Sequence, residues 1–143
     1  MKQMSKVIMG LFVTIFLSGC IAESYDYDPP SLSFNNCISV PCELEKANID
    51  WGKEKNKTAD IVSLAKKQKQ IQISNDPISM AFSHGDFKIL ELTVSIWQDD
   101  KKINLEIAND RTFQFPGIGE YVVEVNLRTS SGTAQYVGNV SVQ

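Results

Sequence analysis

From Ser31 onward, apolar and polar residues alternate in short runs, and each run stops at a cluster of turn-forming residues. Leu32 and Phe34 flank Ser33, with Ile38 and Val40 beyond an Asn35-Asn36 turn. Ile71 and Ile73 alternate with Gln70, Gln72 and Ser74, and Ile78, Met80 and Phe82 with Ser79, Ala81 and Ser83. Leu90, Leu92, Val94 and Ile96 share one parity, as do Ile103, Leu105 and Ile107. Phe113 and Phe115 flank Gln114, Tyr121, Val123 and Val125 form another set, and Tyr136-Val137 leads into Val140 and Val142. A period of two is the mark of strands that bury one face. The breaks are Ser83–Asp86, Gln98–Lys102, Ala108–Arg111, Pro116-Gly117 and Thr129–Gly132, rich in residues that tolerate turn backbones. Strands spaced about ten residues apart predict an all-β protein built as an antiparallel sandwich.

Three stretches depart from the alternation. Asp60 to Gln70 has helical character, with Ile61, Leu64 and Ala65 ahead of Lys66, Lys67 and Lys69, and reads as one or two helical turns or as a loop with an apolar anchor. Gly52 to Thr58 reads as a charged loop. Ile21 to Pro30 is polar and acidic, lacks either period, and ends in two prolines that favour extended backbone. It reads as a tether.

Ahead of the tether, Lys2 and Lys6 precede an apolar stretch from Val7 to Leu17, interrupted by Gly10 and Thr14. That length suits the apolar region of a secretory signal and falls short of the roughly 20 residues that a spanning helix needs. Leu17-Ser18-Gly19-Cys20 resembles the lipobox of bacterial lipoproteins. In that family the cysteine thiol receives a diacylglyceryl group, and a dedicated peptidase cuts on its N-terminal side. The resemblance implies a signal peptide over 1–19, lipidated Cys20 and a tether over 20–30, with a sandwich domain over 31–143. An ordinary cleaved signal and an uncleaved anchor are the competing readings. Ile21, rather than Asp, stands after the cysteine, which implies the outer membrane in a Gram-negative cell. In a Gram-positive cell the lipid would hold the chain on the outer side of the cell membrane.

Charge bears on partners. The formal net charge is −3, and Lys2 and Lys6 are the charged residues before Cys20, so the chain from Cys20 onward carries −5. An acidic body argues against a nucleic-acid partner and against electrostatic attachment to anionic lipid.

Chemistry is sparse. With Cys20 assigned to lipid, Cys37 and Cys42 form an even pair, a candidate disulfide that requires a turn between them. Two reduced, buried thiols are the alternative. His84, the one histidine, sits in Ser83-His84-Gly85-Asp86 and is either a turn residue or the centre of a small enzyme or metal-dependent factor. Asp99-Asp100, Asn109-Asp110 and Asp26/Asp28 offer carboxylates without a full calcium loop. Trp51 shares parity with Ile49 and is expected in the core, whereas Trp97 breaks the parity of Ile96 and is expected outward or at a bulge. Either tryptophan could serve as a platform for carbohydrate or peptide. No phosphate loop or dinucleotide fingerprint occurs, and no cofactor is expected.

Pro116 to Val125, followed by Ser131 to Val140, resembles the closing hairpin of immunoglobulin-like bacterial surface domains, in which a G-x-Y-x-V-x-V strand precedes the last strand. The resemblance implies that Tyr121 is a corner residue bonding back to the backbone. With Pro29-Pro30, Trp51 and Trp97, the chain is similar to a group of uncharacterised small lipoproteins of Bacillus-type bacteria. Members tend to carry cysteines close to the first Trp, whereas Cys37 and Cys42 lie well before Trp51. That group has no assigned activity. The expectation is a membrane-tethered, non-enzymatic binding module that contacts an envelope protein or a cell-wall component.

Overall fold

The computed structural model describes residues 28–143 apart from 39 and 41. The expected signal peptide, Cys20 and the tether through Tyr27 lie outside the described residues, as does Pro41. In chain order the elements are β1 (Leu32–Phe34), β2 (Glu45–Trp51), β3 (Glu54–Asn56), α1 (Ile61–Lys66), β4 (Ile71–Ile73), β5 (Ile78–Phe82), β6 (Ile89–Gln98), β7 (Lys101–Leu105), β8 (Thr112–Phe113), β9 (Gly119–Thr129) and β10 (Gly132–Val142).

They form a β-sandwich. One sheet is three-stranded in the order β1-β5-β8, and the other runs β3-β2-β10-β9-β6-β7, with β4 joined in parallel to the end of β10. Every other pairing is antiparallel. The smaller sheet, β1-β5-β8, packs against β10, β9 and β6 of the larger one. The β2–β3 hairpin and α1 are additions that lengthen the larger sheet past β10 and cover part of its outer face.

Alternation explains the core. Tyr121, Val123, Val125 and Leu127 of β9 point inward with Val94 and Ile96 of β6, and meet Leu32, Phe34, Ile78 and Met80 of the smaller sheet. An aromatic chain runs through one end, with Phe34 edge-on to Phe113, Phe113 to Phe115, and Phe115 against Tyr121, at centroid distances of 5.3–5.5 Å. Tyr121 donates its hydroxyl proton to the Gly117 carbonyl at 3.0 Å, the corner bond that fixes the approach to β9. At the other end, Phe87 lies edge-on to Trp51 (5.4 Å) and to Phe82 (6.0 Å) and ties the two sheets together. Trp51 is 2% exposed, a core residue. Gly132 opens β10 where the Asp50–Trp51 backbone passes closest. A Cβ there would collide with the Asp50 carbonyl oxygen and sit 2.8 Å from Trp51 Cα.

Some segments differ from the hydrophobic pattern. Ile38 and Val40, expected in a strand, are 58% and 82% exposed in a loop. Cys37 and Cys42 are bonded to each other across that loop, with Cα atoms 6.0 Å apart. Glu45–Trp51 is a strand that the pattern did not announce, and the charged stretch after it contains β3. Pro29 and Pro30, expected at the end of the tether, are buried in the folded body. Tyr136 donates to the Pro30 carbonyl at 2.6 Å and Lys46 to the Pro29 carbonyl at 3.5 Å.

Candidate functional site

The outer face of the larger sheet carries the chemistry. Strand pleating sends Glu120, Val122, Glu124, Asn126 and Arg128 of β9 to this side, opposite the core parity. Solvent would normally cover such a face. Here part of it is apolar, because Val122 and Val137 are buried with Ala47 and Ala65 beneath Ile61, Val62, Leu64 and Trp97. The helix that covers them starts where Asp60 accepts a hydrogen bond from the Ser63 amide at 3.0 Å, an N-cap.

A row of polar side chains crosses the same face. The Thr58 amide donates to Asn48 Oδ1 (2.7 Å), and Asn48 donates to Gln135 Oε1 (2.5 Å). Gln135 Nε2 then donates to both Asn126 Oδ1 (2.9 Å) and Glu124 Oε1 (3.1 Å). The row ends at Lys102, whose Nζ lies 2.6 Å from Glu124 Oε2. Glu124 is 2% exposed and Lys102 42%. The approach lies outside aligned hydrogen-bond geometry, so Oε2 is held by charge alone among the described residues. A buried carboxylate with one cation and one amide donor is costly to disturb, because either loss leaves charge in low dielectric.

Between α1 and the β6–β7 turn lies an open groove of about 700 Å³. Gln98 pairs with Lys101, so Asp99 and Asp100 alone make the turn. Both have positive φ, 50° and 62°, the backbone of a two-residue hairpin turn that matches strand twist. That turn raises two carboxylates on one wall. Lys66 and Gln68 line the groove beside them, with Gln70, whose amide donates to Glu120 at 3.4 Å. Trp97, Tyr121, Val122 and Asn139 also line it. Trp97 pairs with Val122 on one side and Lys102 on the other, and Lys102 Nζ sits 5.8 Å from the indole centroid. Trp97 Nε1 is buried and has no hydrogen-bond partner among the described residues. A smaller hollow of about 300 Å³ lies along the same face, with Asn48, Asn126, Gln135 and Arg128 among its lining.

The groove is at the end of the sandwich away from Asp28. His84 holds the Asp28 carbonyl at 2.9 Å and lies edge-on to Phe87, within the end that Phe87 ties together. The groove residues Gln98 and Glu120 lie at the opposite ends of β6 and β9. Ten residue steps along β10 separate the two ends, about 33 Å at about 3.3 Å per step.

Of the residues singled out by sequence, Trp97, Tyr121 and the Asp99-Asp100 turn line the groove. His84 makes backbone contacts through both ring nitrogens. Nε2 must donate, since a carbonyl only accepts, and Nδ1 takes the Asp86 amide at 3.4 Å. Among the described residues no group of three or more His, Cys, Asp or Glu side chains is placed to hold a metal ion, and no helix is long and apolar enough to cross a membrane. The polar row was invisible to pattern reading, because outward polar residues on strands are ordinary. Val122 and Val137 did leave a signal. Tyr121-Val122-Val123 and Tyr136-Val137 are unbroken apolar runs, which imply burial on both faces.

No family model, curated protein or solved structure matches this chain.

Proposed function

We propose that this protein is an extracytoplasmic lipoprotein, anchored through lipid on Cys20, whose sandwich acts as a non-enzymatic binding module through the groove beside Trp97. The groove itself is the observation that carries the reading. It is concave and partly apolar, and convergent polar groups rim it, which is the common character of ligand sites. Its position at the end of the body away from Asp28 suits a chain tethered at its N-terminus, since a ligand would approach from the side facing away from the bilayer. Two acyl chains on Cys20 would suffice as the anchor, as each buried methylene contributes about 0.8 kcal/mol. His84 holds backbone at the N-terminal end, a structural task that supports the binding reading over an enzyme centred on that ring.

Two measurements test this reading. Cells fed an alkyne-bearing fatty acid should label the wild-type chain and leave Cys20→Ala unlabelled. Equal labelling of both would overturn the anchor. Cross-linking in intact cells should capture an envelope component with the wild type and lose it with Trp97→Ala. Capture that persists in Trp97→Ala at wild-type yield would overturn the groove as the binding site.

A further inference from the structure

We infer that the groove beside Trp97 takes a neutral, hydroxyl-rich ligand, a short stretch of glycan; the inference rests on the groove being the binding site. Three observations point to this chemistry. The first is charge. The lining carries three carboxylates, Asp99, Asp100 and Glu120, against the single ammonium of Lys66. A phosphate, sulfate or acidic peptide would meet repulsion there, and no arginine lines the groove to offset it.

The second is the amide content. Gln68, Gln70, Gln98 and Asn139 each present both a donor and an acceptor. Sugar hydroxyls and N-acetyl groups are mixed donors and acceptors, so amides match them whichever way the proton points. Carboxylates serve the same ligand as acceptors for hydroxyl protons.

The third observation separates a glycan from a cation. A cationic ligand would also suit the acidic wall, and its strongest partner would be the face of Trp97. Lys102 already places its ammonium 5.8 Å from that ring centroid, held there by buried Glu124. A second cation at the indole would be repelled, whereas the apolar C–H face of a sugar ring would not. Trp97, with Val62 and Val122 on the same face, then supplies the flat, apolar part of the site.

The test uses the full chain in detergent with two probes, the uncharged tetramer of N-acetylglucosamine and tetralysine. Trp51 is buried, so a fluorescence change on titration reports Trp97. Amide chemical shifts locate the binding. The expected result is saturable binding of the sugar tetramer, with shifts centred on Gln68, Gln98 and Asn139. Affinity should weaken about tenfold or more in Trp97→Ala, corresponding to about 1.4 kcal/mol. Should Trp97→Ala misfold, Gln98→Ala, at an exposed position, reads the same loss. Groove shifts with tetralysine and none with the sugar would overturn the glycan inference and leave the binding reading standing. Sugar-induced shifts confined to other surfaces would overturn it as well. Silence with both probes, combined with envelope cross-links that survive Trp97→Ala, would overturn both.

Discussion

Tyr136 and Pro30, separated by 106 positions in the chain, are joined by a 2.6 Å hydrogen bond from the phenol to the carbonyl. Tyr136 is fully buried and Pro30 is buried with it. Burial pushes the phenol well above the usual tyrosine value, and the charge of Glu54 adds to the rise. Tyr136→Phe keeps the ring and strands the carbonyl. A loss of about 1–3 kcal/mol is expected in denaturant unfolding. The pH dependence comes from linkage. Below about pH 10 both folded and unfolded chains keep the phenolic proton, so the native state holds its full advantage. Above that, the unfolded chain releases the proton while the native one retains it, and stability falls with rising pH. Tyr136→Phe lacks this component, so the stability gap between the two proteins should narrow above about pH 10. A constant gap would show that Tyr136 does not titrate differently on folding.

Lys102 and Glu124 make a second test. Lys102→Met leaves a carboxylate that is 2% exposed without its cation. Lys102 is itself partly solvated, so the expected loss is about 1–3 kcal/mol rather than the larger cost of breaking a fully buried pair. Adding Glu124→Gln should restore most of it. Chemical denaturation of the two single variants and the double variant gives the coupling directly.

Gly132 is predicted to be intolerant of a side chain. Gly132→Ala must move the backbone of Asp50 or Trp51, which overpacking data put at about 1–3 kcal/mol. Gly85→Ala is the control, because a Cβ at Gly85 meets nothing within 4 Å. A thermal melt should separate the two, with Gly85→Ala close to wild type.

The bond between Cys37 and Cys42 closes a loop with a sequence separation of 5. In the chain-entropy model a ring of this size stabilises by about 2 kcal/mol. The double substitution Cys37→Ser/Cys42→Ser should lose that amount under oxidising conditions. Under strong reductant the two proteins should unfold at nearly the same denaturant concentration.

Residues of high β-propensity on the core parity made most of the sandwich legible. Ile71–Ile73, Ile78–Phe82, Leu90–Ile96 and Tyr121–Val125 all lie in strands that the alternation predicts. The strand β2 was hidden because Lys46, Asn48 and Asp50 read as loop, and because its register slips against β10 between Ala134 and Tyr136, so that Ala47 packs under α1 while Ile49 and Trp51 face the core. Ile38 and Val40 erred the other way, since apolar residues in a cross-linked loop carry the same local pattern as a strand. Leu90 shares parity with Val94, yet is 50% exposed because the register slips between Ile89 and Glu91. Of the site, Trp97 and the Asp99-Asp100 turn could be placed outward or at a hairpin from sequence. Their meeting with Gln68 and Gln70 could not, because it depends on where α1 docks, a tertiary matter that no local pattern records.

β10 pairs with β9 along its whole length, with β2 along its first half and with β4 along its second. It comes after every one of them in the chain. Sheet formation on this side therefore waits for a strand that is synthesised after all its partners. The contacts it completes are long in sequence, and closing such loops is slow. A nascent chain lacking Gly132 onward would leave β2 and β4 without their β10 partner and one edge of β9 open. The order of synthesis thus keeps this side unassembled until one late step, and a stop codon just ahead of Gly132 should cost the whole cooperative transition rather than a single strand.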